Sequence, residues 1–184
     1  MIPKTIFTYW NDISTATEFH KRCWKALREL NPNWKFIIFT DETLPADIDF
    51  PNNYNKLIVQ HKADFLRLWL LHKRGGIWVD ASILFRKPID ELYDLTYDGI
   101  QVYVPPHYHN NAILGPRILR NCLDNWFIIS PKNDKFMKEW YTRFRLKIEN
   151  GPLPLWYFTM HEISKDLLNE FSDHPIKQMN SDNE

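Results

Sequence analysis

Charged side chains lie within the apolar runs of one stretch of this 184-residue chain, KADFLRLWLLHKRGGIWVDAS at residues 62–82. Asp64 and Arg67 are three residues apart, and Asp80 follows an uncharged run. An ionised side chain in apolar surroundings is costly unless an opposite charge or a ligand binds it. Carboxylate and guanidinium groups that converge could hold the hydroxyls of a ligand or a metal ion. The pattern therefore indicates either an internal ion pair or a binding site for a polar ligand.

The residues around these charges predict a buried helix, a glycine break and a buried strand. A helix over His61–Lys73 is apolar around most of its circumference, and its two internal charges share one face. Gly75 and Gly76 allow the positive φ of a helix end and a close turn into the next strand. That strand, Ile77–Val79, is apolar on both faces, which is typical of the centre of a parallel sheet.

The strand delivers Asp80 to its carboxyl end, where ligands bind in open α/β sheets. The preceding helix can bring Asp64 and Arg67 to the same place. The alternative is a helix ion pair worth about 0.2–0.5 kcal/mol, with Asp80 as a turn residue. Each residue alone favours that alternative, but the convergence of all three favours a ligand site.

The rest of the chain alternates between predicted strands and helices. The predicted strands are Thr5–Trp10, Lys35–Thr40, Ile77–Val79, Ile100–Val104 and Asn125–Ser130. The predicted helices are Ser14–Leu30 with Ser14 as N-cap, His61–Lys73, a turn at Pro88–Leu92, Asp134–Ile148 and residues 155–171. This order predicts an α/β fold, a single domain over residues 1–171 with a mostly parallel central sheet flanked by helices. Residues 172–184 are expected to form a loose tail.

Composition and charge exclude several classes of partner. The 23 Lys and Arg balance 23 Asp and Glu, so nucleic acid and anionic membranes are not expected partners. No apolar run reaches the length of a membrane span. The two cysteines, Cys23 and Cys122, are too few for a disulfide framework or a zinc site. We expect buried structural cysteines and a cytoplasmic protein, and the sequence does not indicate an oligomeric state.

Five further residues could contact a ligand. Trp10 ends the first strand, where an aromatic ring either packs or stacks on a ligand. Asn125 precedes a buried strand, so its amide either forms a turn or donates to a ligand. His161, in WYFTMHEIS, follows several aromatic residues and is either packed or functional. His107 and His109 form an H-x-H pair for which a solvated loop is the simpler interpretation.

Three segments resemble the GT-A glycosyltransferases of the sugar-binding DXD type, particularly their Och1-like and capsular-polysaccharide-synthesis groups. The segments are IPKTIFTYW, KADFLRLWLLHKRGGIWVDAS and DNWFIISPKNDKFMKEW, and the resemblance spans residues 2–165. It implies a GT-A-like, Rossmann-like fold that binds a nucleotide-sugar donor. It also implies that Trp10 lies against the base, that Asp64 and Arg67 hold the donor sugar, and that Asp80 faces the ribose and a metal-bound diphosphate.

The metal is expected to be Mn²⁺ or Mg²⁺, bound by Asp80. His161 resembles a late histidine near the donor site of relatives and is a second candidate ligand. The family motif carries another acid two residues after the first, where this chain has Ser82. Because hard cations prefer carboxylate oxygens, this difference leaves the metal requirement open.

The resemblance predicts transfer of a sugar from a UDP- or GDP-linked donor to the hydroxyl of a glycan acceptor, with retention of configuration. Asp64, Arg67 and Asp80 are the expected catalytic residues, and Gly76, Ser82 and Asn125 are expected to join them in donor binding. The alternative is a non-catalytic nucleotide-sugar-binding module or a subunit of a glycan-synthesis complex.

Overall fold

The computed structural model of the protein describes residues 1–104 and 121–180. His107 and His109 lie outside these residues. The strands are β1 (Thr5–Tyr9), β2 (Lys35–Phe39), β3 (Gly76–Val79), β4 (Ile100–Val104), β5 (Phe127–Ser130) and β6 (Ile176–Asn180). The helices are α1 (Glu18–Leu30), α2 (Val59–Arg74), α3 (Ile89–Leu92), α4 (Lys135–Asn150) and α5 (Thr159–Glu170), with 3₁₀ turns at Ile13–Thr15 and Tyr54–Lys56.

The six strands form one sheet in the order β2-β1-β3-β5-β4-β6. β1 pairs in parallel with β2 and β3, and β4 pairs in parallel with β6. β5 is antiparallel to both of its neighbours, β3 and β4. The expected α/β fold with a mostly parallel sheet in a single domain is confirmed, since five strands share one direction and β5 opposes them.

Helices cover both faces of the sheet, and the alternation of side chains along the strands assigns each residue to a face. In β3, Trp78 packs in the apolar cluster that contains residues of α2, α4 and α5. Ile77 and Val79 instead join Leu27 of α1 and Ile89 of α3 on the opposite face. β3 is therefore buried on both sides, as its uninterrupted apolar run predicts.

The glycine break after α2 has the backbone conformation that the sequence predicts. Gly75 has φ 64° and Gly76 has φ 111°, values that side chains rarely tolerate. A Cβ on Gly76 would lie 2.5 Å from the carbonyl oxygen of Thr5 in the adjacent β1. The pair therefore lets α2 end and β3 start directly against its neighbour.

Several predicted element boundaries are wrong, among them the start of α5, which lies at Thr159 rather than at residue 155. The predicted loose tail is corrected, because Ile176–Asn180 pairs with β4 along its whole length as an edge strand. Ser14 does not cap α1, because Asp12 accepts its N–H at 2.9 Å and its hydroxyl at 2.7 Å in a separate 3₁₀ turn. α1 begins four residues later, at Glu18. Thr17 precedes it and donates its N–H to His20 Nδ1 at 3.3 Å.

Both cysteines are buried, as expected. Burial raises the pKa of each thiol, and that of Cys122 to about 11. Both groups are therefore neutral near pH 7 and act as apolar packing residues. Within the described residues, no helix has the length and apolar character that a membrane crossing requires.

Candidate active site

One guanidinium joins the helix charge to the strand-end charge. Arg67 donates from its two terminal nitrogens, through one to Asp64 Oδ1 and through the other to Asp80 Oδ1 at 2.6 Å. Its guanidinium carbon lies 4.8 Å from the ring centroid of Trp78, a cation–π contact that β3 supplies from below. The ion pair and the strand-end carboxylate, which the sequence offers as alternatives, are therefore parts of a single network.

The two carboxylates differ in their access to solvent. The side chain of Asp64 is 7% exposed and that of Asp80 is 35% exposed. Asp80 Oδ1 also accepts from Trp78 Nε1 at 2.7 Å, and within the described chain its hydrogen bonds all end on Oδ1. Oδ2 of Asp80 is therefore left for a ligand. Asp64 instead holds Arg67 in place from inside the protein.

Burial raises the pKa of Asp64, against the opposing effect of the Arg67 guanidinium beside it. Desolvation disfavours the charged form of a carboxylate, whereas a neighbouring cation favours it. Asp64 Oδ1 also accepts from the side-chain amide of Asn125 at 3.1 Å. The carboxylate is thus enclosed by two donors that orient it toward the cavity.

The antiparallel direction of β5 brings a second group of polar residues to the same place. Val79 pairs with Phe127, the first residue of β5, and the N–H of Asp80 donates to Trp126 O at 2.8 Å. The residues that precede β5 therefore lie beside the carboxyl end of β3. Asp124 is one of them, and it accepts from the Asn125 N–H at 2.9 Å.

His161 of α5 lies near this group. Its Nε2 lies 3.8 Å from Asp124 Oδ1, beyond hydrogen-bond distance. Its Nδ1 is buried and has no hydrogen-bond partner within the described chain. The ring of Phe158 packs edge-on against the imidazole, with 5.5 Å between the centroids.

These residues line a cavity of about 480 Å³ at the carboxyl end of β3, a size typical of small-molecule sites. One wall is aromatic: the Trp10 and His20 rings lie 4.1 Å apart, and Trp10 Nε1 donates to Thr15 Oγ1 at 3.0 Å. The lining also includes Tyr157 and Phe158. The cavity therefore combines a charged floor with flat rings, which suits a ligand with phosphate, hydroxyl and base groups.

Almost the whole chain matches a family model. Residues 1–183 match the model described as capsular polysaccharide synthesis protein. The chain belongs to this family. The membership confirms the resemblance inferred from the N-terminal, central and late segments. The second acid of a DXD motif is absent, as Ser82 occupies its position.

The curated relatives are fungal glycosyltransferases. The O-glycosyltransferase braB of Annulohypoxylon truncatum is 25% identical over 181 residues, covering 89% of this chain and 42% of that protein. Inositol phosphoceramide mannosyltransferase 1 of Schizosaccharomyces pombe is 24% identical over 182 residues, covering 85% of this chain and 50% of that protein. The chain thus spans half or less of the length of these relatives.

Two solved structures share the fold. PaToxG glycosyltransferase superposes with a TM-score of 0.67 at 16% identity, covering 93% of this chain and 70% of that chain. A glycosyltransferase involved in the glycosylation of the major capsid of PBCV-1 superposes with a TM-score of 0.52 at 13% identity, covering 96% of this chain and 80% of that chain. The predicted glycosyltransferase fold is therefore confirmed for this family member.

Most of the residues predicted for the site lie in the cavity wall. They are Trp10, Asp64, Arg67, Asp80, Ser82, Asn125 and His161. Gly76 is not among them, because it begins β3 and Asp80 follows the other end of that strand. Glycine is required at this position because φ is positive and because Thr5 O lies so close. The expected donor contact of Gly76 is therefore replaced by a backbone role.

Among the lining residues that sequence reasoning missed, three are polar or contact the charged network. His20 sits on the first turn of α1, and its pairing with Trp10 could be found only once the helix start was known. Asp124 directly precedes Asn125, a predicted site residue, so this acidic neighbour could have been predicted to line the site as well. Trp78 was assigned to the core, but its indole N–H orients Asp80.

The side chains present can contribute to a shared metal site. Within residues 1–104 and 121–180, no three His, Cys, Asp or Glu residues are grouped so that they could hold a metal ion. Asp80 offers one carboxylate oxygen, and Ser82 is exposed on the cavity wall. Mg²⁺ commonly takes one or two carboxylates from the protein and the rest of its ligands from phosphate and water. The residues fit that mode and do not fit an all-protein cage.

Proposed function

We propose that this chain transfers a sugar from a UDP- or GDP-linked donor to a hydroxyl of a glycan acceptor, with retention of configuration. The observation that carries the proposal is the Arg67 bridge between Asp64 and Asp80 at the end of β3, inside a ligand-sized cavity. Glycosyltransferase relatives and the glycosyltransferase fold support the reaction class.

The donor would lie across the cavity from the aromatic wall to the charged floor. Trp10 and His20 offer flat rings against which a nucleobase can stack. Asp64 and Arg67 line the cavity and would bind the hydroxyls of the donor sugar, since a carboxylate accepts and a guanidinium donates. Asp80 would face the ribose and diphosphate through Oδ2, since its hydrogen bonds within the described chain end on Oδ1. A divalent cation at Asp80 and Ser82 would neutralise charge on the diphosphate.

The carboxylates of the cavity favour a reaction without a covalent enzyme intermediate. Asp64 and Asp80 are bonded to Arg67, and Asp124 accepts from Asn125 and from Trp126 Nε1 at 3.0 Å. Each of the three carboxylates therefore already binds a protein donor, and the proposed step uses none of them as a nucleophile. In the proposed step, the acceptor oxygen bonds to the anomeric carbon as the bond to the diphosphate breaks. The acceptor proton passes to the departing phosphate, and the main contribution of the protein is electrostatic.

A donor screen tests this function. Thermal unfolding is measured with UDP, GDP and their sugars, mannose-linked donors first, since one relative is a mannosyltransferase by name. Donor hydrolysis is then followed with and without Mn²⁺. We expect stabilisation by one nucleotide and slow hydrolysis of its sugar, both lost in Asp80→Asn. The control is Asp47→Asn, whose carboxylate pairs with Arg74 at 2.7 Å and does not line the cavity. Equal loss in both variants contradicts the proposal.

The second candidate function is a nucleotide-sugar-binding module without turnover, alone or within a glycan-synthesis complex. Ser82 favours it, because a hydroxyl replaces the carboxylate that would otherwise strengthen a metal site. Stabilisation by a donor with no hydrolysis and no transfer, at any metal concentration, would identify this module. A cytoplasmic location stays a prediction.

A further inference from the structure

Two large aromatic rings stand exposed on the segment that links α4 to α5. Trp156 is 52% exposed and Tyr157 is 53% exposed, although the next residue, Phe158, turns inward. Neighbouring exposed rings are unusual on a protein surface unless they meet a ligand or a partner. Trp and Tyr offer wide flat faces and lose little conformational entropy on binding.

The segment is held in one position by contacts on both sides of the rings. Leu155 is buried in the main apolar cluster. Trp156 O accepts the N–H of Thr159 at 3.0 Å and its hydroxyl at 2.6 Å, at the start of α5. Phe158 packs edge-on with Tyr157 at 5.0 Å and with Trp156 at 5.8 Å between centroids. The rings are therefore presented by an anchored backbone.

The segment that carries the two exposed rings also borders the cavity. Tyr157 and Phe158 line the cavity, and Phe158 then contacts His161 beside Asp124. Val59, itself 42% exposed, lies on the same lining. An uncharged apolar rim thus borders the space that Asp80 and Arg67 face. A molecule resting on this rim would have its polar end directed at the donor.

We propose that Trp156 and Tyr157 form the acceptor platform, on which the C–H face of a pyranose ring of the glycan acceptor stacks. This inference rests on the proposed function, because it gives the second substrate of that reaction its place. A pyranose has an apolar C–H face and a hydroxyl-rich edge. A pyranose stacked on the rings buries its C–H face and turns a hydroxyl of its edge toward the cavity. The separate aromatic wall at Trp10 and His20 remains for the base of the donor.

The test separates transfer from donor hydrolysis. Tyr157→Ala and Trp156→Ala are compared with Leu146→Ala, whose side chain is 49% exposed on α4 and does not line the cavity. The acceptor probes are the methyl pyranosides of mannose, glucose and galactose. We expect Tyr157→Ala to lower kcat/KM for transfer about tenfold, through acceptor KM, with donor hydrolysis and donor KM unchanged. Tyr157→Phe should keep transfer near the wild-type rate, and Leu146→Ala should change nothing.

Other outcomes overturn the platform. Parallel loss of hydrolysis and transfer would place Tyr157 in the donor site. Unchanged transfer in both alanine variants would remove the rings from acceptor binding. A wild-type dimer that Tyr157→Ala converts to a monomer would make the rings a protein interface.

If the wild-type protein processes no donor, the proposed function fails, and the platform is judged by saturation-transfer NMR with the same methyl pyranosides. A wild-type signal that Tyr157→Ala loses would support the platform. The absence of a wild-type signal would end it.

Discussion

The two ends of β3 are built from the same buried strand but serve different purposes. At its start, the absence of a side chain on Gly76 lets the backbone of β3 approach Thr5 O, so this contact involves main-chain atoms. At its end, Asp80 and Arg67 form a charged network with one carboxylate oxygen left over. The first end is complete within the protein, whereas the second has capacity for a ligand. Changes at the two ends should therefore affect different measurements.

Removing the bridging cation should have the largest effect. Arg67→Ala leaves Asp64 buried without its counter-charge, and breaking a buried ion pair in this way costs about 3–5 kcal/mol. Denaturant unfolding should show this loss, together with loss of donor binding. The matched control is Arg74→Ala at the other end, where the pair with Asp47 is exposed and worth about 1 kcal/mol or less. Equal losses in the two variants would mean that the network adds nothing to an ordinary surface pair.

Gly76→Ala should come next and should act on stability alone. A Cβ there meets Thr5 O at 2.5 Å, and φ 111° is strained for alanine, so we expect a loss of about 3 kcal/mol. Donor KM measured on the folded protein should stay at the wild-type value, because Gly76 lies outside the cavity. If the variant is stable and its donor KM is raised, the result would support the donor contact of Gly76 that the sequence predicts.

Asp80→Asn should show the reverse pattern. Asparagine keeps an oxygen that can accept from Trp78 Nε1, so the free energy of unfolding should fall by about 1 kcal/mol or less. Donor hydrolysis should fall about 100-fold or more, the size expected when one electrostatic contact to the transition state is lost. Thermal unfolding and hydrolysis are measured on the same preparation. Wild-type hydrolysis in this variant would remove Asp80 from the mechanism.

The smallest effect concerns a titrating residue near the glycine end. Burial lowers the pKa of His72, and the nearby Lys73 and Lys138 lower it further. The unfolded chain therefore binds a proton at higher pH than the folded protein, and the free energy of unfolding should fall as pH drops below 6.5. His72→Phe keeps the stacking on Tyr141 and should remove up to about 1.4 kcal/mol per pH unit of this decline. Identical pH slopes in both proteins would exclude His72.

The central part of the fold was predictable because its signals are local. Apolar residues around α2, two glycines and the short run of β3 each constrain their own backbone, and together they place Asp80 at a strand end. The start of α1 was not predictable in the same way. Asp12 competes for the N–H and hydroxyl of Ser14, and this competition moves the helix start to Glu18.

The sequence by itself determined that one helix and one strand would carry Asp64, Arg67 and Asp80 toward a common point. Only the tertiary structure decided what surrounds that point. The reversal of β5 sets Asn125 beside Asp64, and the pairing of β6 with β4 draws the C-terminal segment into the sheet. Strand direction and partner choice depend on hydrogen bonds between distant segments, so no local pattern specifies them.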